Sequence, residues 1–144
     1  MLEWCIDASV AVKWVLRDEM WRKKARRLLY DSIMLNISLI APPLFEYETD
    51  SVLQERLYFG KLTVTEADTA IEKLNSIGVQ IVNETNMIKC ARDIARCFNQ
   101  TKIYDSAYAA LAQIRGCEFW TADKVFYDAV KSTLPFIKYL TANY

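Results

Sequence analysis

Short apolar runs alternate with helical patterns along the whole chain, and no other feature restricts the fold as much. The runs fall at residues 2–6, 37–41, 79–82, 117–121 and 136–139. None of them alternates apolar with polar residues, so strands built from them are expected to be buried on both faces. Between them, apolar residues spaced three and four apart predict helices at residues 10–16, 20–35, 44–59, 64–74, 86–98, 103–114 and 124–131. Pro42-Pro43 closes the second run, and Gly60, Gly78 and Gly116 stop helices in the usual C-terminal way. Thr65 reads as the N-cap of the helix that opens near residue 64. With only three glycines and three prolines, connections must be short. The expected architecture is α/β: one domain, residues 1–144, with three α/β/α layers around a central, mainly parallel, twisted sheet. Ligands of such folds gather at the carboxyl ends of the strands, near a topological switch point.

Composition narrows the chemistry. Apolar residues make up 53% and charged residues 25% of 144 residues, enough for a packed core. Lys plus Arg and Asp plus Glu are both 18, so bulk charge gives no sign of a polyanion-binding protein. No leader or bilayer-length apolar stretch is visible, and a soluble, cytoplasmic protein is expected. The chain has no histidine, and its four cysteines (Cys5, Cys90, Cys97, Cys117) form no C-x-x-C pair. Thiolate–imidazole zinc sites and Ser–His or Cys–His pairs are therefore excluded. All four thiols read as reduced and structural. Acid–base chemistry near neutrality falls to carboxylates or to a metal-bound water.

The carboxylates are placed suggestively. Asp7 follows the first apolar run and precedes a helix; Asp123 has the same position after the fourth run. Each alone is a good N-cap. Together they point to one rim of one parallel sheet. Asp105 stands in the first turn of the Ala-rich helix, where the helix dipole favours an acid. Tyr104, Ala107, Tyr108 and Leu111 mark much of that helix as buried, so the acid beside them needs a partner. Glu48 borders an apolar flank of the helix at residues 44–59, with Glu46 and Asp50 as rivals on other flanks.

Four acids at one rim repel each other unless a cation compensates. Oxygen ligands without His or Cys suit a hard ion, Mg²⁺ or Mn²⁺. Such an ion suits hydrolysis of a phosphate ester. Ser9, Ser106 and Thr121 flank the acids and can orient carboxylates or a water, or act as ordinary caps.

The segments IDASVAVKW, PPLFEYETDSVL, YDSAYAALA and FWTADKVFY, in this order, resemble the PIN-domain family. The likeness is nearest to VapC-type toxin ribonucleases of prokaryotic toxin–antitoxin pairs. The resemblance implies an α/β/α fold and a Mg²⁺- or Mn²⁺-dependent endoribonuclease. It assigns Asp7, Glu48, Asp105 and Asp123 as catalytic and metal-holding acids, with Thr121 and Ser9 as neighbouring hydroxyls. Tyr47-Glu48 fits the family's Y-E-x-x-N, although Ser51 holds the Asn place. The resemblance further implies an RNA substrate, a cognate antitoxin over the active-site groove and a homodimer.

Some features stay open on sequence alone. WRKKARR (residues 21–27) is either an RNA-backbone contact or a solvated helix face opposite a packed stripe. Lys13 and Lys124, near two of the acids, can touch a scissile phosphate or merely balance charge. Tyr47, Leu53, Leu57, Tyr58 and Phe59, on a predicted αα-hairpin around Gly60, fit a partner face or core. Two other functions compete with the nuclease: a phosphoacceptor receiver, and an idle PIN module that only binds RNA or protein. The receiver needs an Asp after a central strand, but residues 79–82 lead into Asn83-Glu84.

Overall fold

The computed structural model describes residues 2–144. Strands β1 (Glu3–Ile6), β2 (Ser38–Ala41), β3 (Gln80–Ile81), β4 (Glu118–Thr121) and β5 (Ile137–Tyr139) form one sheet in the order β3-β2-β1-β4-β5. Every pairing is parallel, with Cys5 opposite Ile40 on one side and Phe119 on the other. The helices are α1 (Ala8–Val15), α2 (Arg22–Met34), α3 (Leu44–Tyr58), α4 (Val64–Ile77), α5 (Met87–Cys97), α6 (Tyr104–Arg115), α7 (Lys124–Val130) and α8 (Leu140–Asn143). The expected three-layer α/β/α fold is what forms.

The central strands are apolar because both faces are covered. On β4, Phe119 and Trp120 point to opposite faces, as successive strand residues must. Phe119 stacks on Tyr108 of α6 and meets Phe126 of α7. Trp120 packs against Trp4 and Tyr144 on the other face. Residues 106–112 of α6 are all buried, and their run of alanines lets α6 lie close on α5 and the sheet.

The strand order places the site. From β1 the chain moves to β2; from β4 it moves the other way, to β5. The carboxyl ends of β1 and β4 therefore flank the switch point, where connections depart in opposite directions and leave a crevice.

Several local expectations are corrected. α1 begins at Ala8, because Asp7 is already its N-cap. The cap of α4 is Thr63, not Thr65. The Thr63 hydroxyl accepts from Glu66 N–H and Glu66 accepts from Thr63 N–H, both at 3.1 Å, a reciprocal box that only the three-residue spacing allows. β3, an edge strand with one neighbour, is only two residues long. α8 was not expected. The cysteines are free, but Cys97 is exposed and so is not a core residue.

Candidate active site

Asp7 ends β1 with its backbone still paired to the neighbouring strand: its N–H donates to Trp120 O at 3.0 Å. Its carboxylate caps α1, with Oδ1 accepting from Ser9 N–H at 3.4 Å. The capping role is therefore real, but it uses one oxygen only. Oδ2 accepts from Thr121 Oγ1 at 2.7 Å and from Ser9 Oγ at 3.0 Å. The same hydroxyls accept in turn: Thr121 Oγ1 from Asp123 N–H and Ser9 Oγ from Ala122 N–H, both at 3.0 Å. Two hydroxyls thus tie the ends of β1 and β4 together through one buried carboxylate. Asp123 caps α7 by accepting from Phe126 N–H at 3.0 Å.

Two more acids come from helices. Glu48 lies in the second turn of α3 and accepts from the Tyr108 phenol at 2.7 Å. Asp105 lies in the first turn of α6. All four carboxylates line one cavity of about 540 Å³, together with Ser9, Ser51, Tyr47 and Tyr104. Glu46 and Asp50 line other depressions, so among the acids of α3 only Glu48 faces this one.

The electrostatics follow from this crowding. Burial pushes the Asp105 carboxyl up to about 7, helped by the charges of Asp7, Asp123 and Glu48 and a hydrogen bond with Asp123. Asp7 is raised by burial and by Asp123, against the hydrogen bonds from Thr121 and Ser9. Glu48 is raised by burial and by Asp7, against the Tyr108 phenol. Among the described residues no Lys or Arg lines the cavity. Lys13 instead pairs with Glu19 at 3.3 Å and Lys124 with Asp128 at 2.6 Å. The neighbourhood of these lysines in sequence does not become contact with the acids.

The donor set fits a hard divalent cation in kind: oxygen ligands carrying uncompensated negative charge. Their spacing is looser than a full cage. Among the described residues, no three carboxylates or thiols stand close enough to hold one ion. Mg²⁺ commonly takes only one or two protein carboxylates and keeps its waters, so a shared cavity without a shared ligand sphere is compatible with such an ion.

Of the hydroxyls singled out from the sequence, Ser9 and Thr121 touch Asp7. Ser106 does not orient a carboxylate: its Oγ is buried and has no hydrogen-bond partner among the described residues. Tyr108 is the residue that sequence reasoning missed as a functional neighbour. Its spacing of three from Asp105 puts both on one helical flank, a readable signal, but Glu48 lies 60 positions away.

The model of the PIN domain matches residues 4–131 of this chain. The chain belongs to the PIN-domain family. PIN domains are generally nucleases of RNA or DNA and generally use divalent metal ions. Among solved structures, the crystal structure of PAE2754 from Pyrobaculum aerophilum resembles this PIN domain with a TM-score of 0.69. The match covers 99% of this chain and 93% of that one at 15% identity, a likeness of fold. No curated protein sequence matches this PIN domain. No helix among its described residues is long and apolar enough to cross a membrane.

Proposed function

We propose that this PIN domain is an endoribonuclease that hydrolyses RNA phosphodiester bonds at the cavity beyond the carboxyl ends of β1 and β4, with Mg²⁺ or Mn²⁺ as cofactor. The observation that carries this reading is the arrival of Asp7, Glu48, Asp105 and Asp123, from four separate elements, in one cavity at the switch point. A bound ion there supplies positive charge to the phosphoryl oxygens and makes a water more acidic. Asp7, Asp105, Asp123 and Glu48 are the residues to hold it. The chain's own contribution is positioning and proton inventory. Thr121 and Ser9 fix Asp7, the amide of Phe126 fixes Asp123, and Tyr108 steadies Glu48. Asp105, with a carboxyl near 7, is close to half protonated at neutrality. The Ser9 hydroxyl in the cavity donates to Asp7 and accepts from Ala122 N–H, so it is engaged in tying the strand ends together, and direct attack by water fits better than a covalent enzyme intermediate.

The wider biology is read from the sequence likeness to VapC-type proteins: a cytoplasmic toxin of a type II pair, a homodimer, restrained by an antitoxin. Two observations support a partner. Among the described residues no cation lines the cavity, so an Arg or Lys from a bound segment would meet carboxylates that lack a cationic partner. Tyr47, Tyr58, Phe59 and Val64 are exposed on α3, α4 and the turn between them. An idle binding module remains the second reading, favoured by the loose spacing of the acids.

The test is RNA cleavage by purified protein with Mg²⁺, with Mn²⁺ and with EDTA. Cleavage that EDTA abolishes is expected, with loss of activity but not of fold in Asp7→Asn and Asp105→Asn. Full activity of both variants in metal-replete protein would overturn the mechanism.

A further inference from the structure

We infer that Tyr108 is a positioning residue for Glu48. Its phenol is the strut that holds the α3 carboxylate over the carboxyl end of β1. This rests on the reading of the cavity as a metal-dependent nuclease site.

The Tyr108 side chain is fully buried. Its ring lies flat on Phe119 of β4, with centroids 5.5 Å apart and planes 8° from parallel. A ring held so leaves the hydroxyl little freedom. That hydroxyl donates to Glu48 Oε1 at 2.7 Å, a bond from α6 to α3 between residues 60 apart in sequence. The phenol oxygen also faces the backbone amide of Ala8, the first residue of α1 and the neighbour of Asp7. One buried atom therefore lies beside the residue that follows the first acid and donates to the second acid. A buried phenol needs a hydrogen-bond partner, and the Glu48 carboxylate supplies it.

The bond matters because nothing else recorded for the Glu48 carboxylate holds it in place. Asp7 is held by two hydroxyls and an amide, and Asp123 by an amide. Glu48 has a longer side chain, is only half buried and has the single bond to Tyr108. Partners behind a ligating carboxylate typically change metal affinity or activity by about 10–100-fold when removed.

The experiment is a double-mutant cycle of Tyr108→Phe and Glu48→Ala, read in two ways: Mn²⁺ affinity by electron paramagnetic resonance, and the rate of RNA cleavage. Tyr108→Phe keeps the ring on Phe119 and removes only the hydroxyl. The expected result is a loss of about 10–100-fold in Mn²⁺ affinity, cleavage rate or both. In the Glu48→Ala background, the same change should add nothing. A Tyr108→Phe protein that binds and cleaves like wild type overturns the positioning role. So does a loss that persists undiminished without Glu48, since the hydroxyl would then act through the fold. Should Tyr108→Phe fail to fold, the hydroxyl proton is followed by NMR in the wild-type protein. A slowly exchanging resonance that shifts on Glu48→Ala supports the strut, and one indifferent to Glu48 removes it. Wild-type protein that neither binds Mn²⁺ nor cuts RNA overturns the nuclease reading itself, a failure distinct from that of Tyr108.

Discussion

Thr121 shows how much one hydroxyl decides at this site. It is fully buried at the last position of β4, donates to Asp7 and accepts from Asp123 N–H. Thr121→Val keeps the shape and deletes both bonds. The Asp7 carboxylate, already raised by burial, then loses one of the hydrogen bonds that favour its charged form. A destabilisation of about 1–3 kcal/mol is expected, with a loss of cleavage of about tenfold or more. Thr121→Ser should recover most of the cleavage. Urea unfolding and RNA cleavage on the two variants check this; a Thr121→Val enzyme of wild-type rate would remove the hydroxyl from the mechanism. At this scale the sequence was informative where function coincides with local grammar. Asp7 and Asp123 could be picked out because each stands between a strand and the helix it caps. Glu48 could not be separated from Glu46 and Asp50 by periodicity alone; the Tyr-Glu resemblance chose it. Ser106 meets no carboxylate among the described residues, since a hydroxyl beside an acid in sequence lies about 100° round the helix from it.

Elements bring the acids to the rim, and their ends can be tested apart from the chemistry. α4 contributes no residue to the cavity lining, and the Thr63–Glu66 box holds its start. Thr63→Ala should cost about 1 kcal/mol and leave cleavage unchanged, whereas Thr65→Ala should cost much less. Comparing their urea midpoints checks the assignment, and equal losses would contradict it. The capping pattern is present in the sequence as T-x-x-E from Thr63 to Glu66, whereas Thr65 adjoins Glu66 and cannot form the box. Arg56 of α3 supplies a second test. It pairs with Asp18 and with Glu19, so it pins the α1–α2 connection against α3. Glu19 also receives Lys13, which explains why that lysine is drawn away from the acids. Arg56→Ala is expected to cost about 1–3 kcal/mol. It should also leave Glu19 with Lys13 as its recorded cationic partner, and thermal melts of Arg56→Ala and Arg56→Lys measure how much the two-pronged geometry contributes.

For the whole molecule, strand and helix alternation was legible because strands covered on both faces leave continuous apolar runs. The order β3-β2-β1-β4-β5 was not, since the β1–β4 pairing joins segments over a hundred residues apart and no local pattern encodes it. That same pairing gathers charges whose cost the entire fold bears. Asp105 has a carboxyl near 7 against an ordinary value of 3.8, so between these limits the folded protein binds more protons than the unfolded chain. Stability must then fall as pH rises from about 4 to about 7, and level off above. Asp7 and Glu48 are shifted the same way and steepen the fall. Glu3, Asp18 and Asp128 are shifted downward, but their contribution is lost below about pH 4, outside this window. Metal-free protein is therefore expected to have a lower urea midpoint at about pH 8 than at about pH 5. Mg²⁺ should flatten the difference, because a cation among the carboxylates favours their charged forms. Asp105→Asn should flatten it without metal and stabilise the protein at about pH 8 by on the order of 1 kcal/mol. A midpoint that rises with pH in EDTA, or an Asp105→Asn protein with an unchanged slope, would mean that the four acids do not share one field.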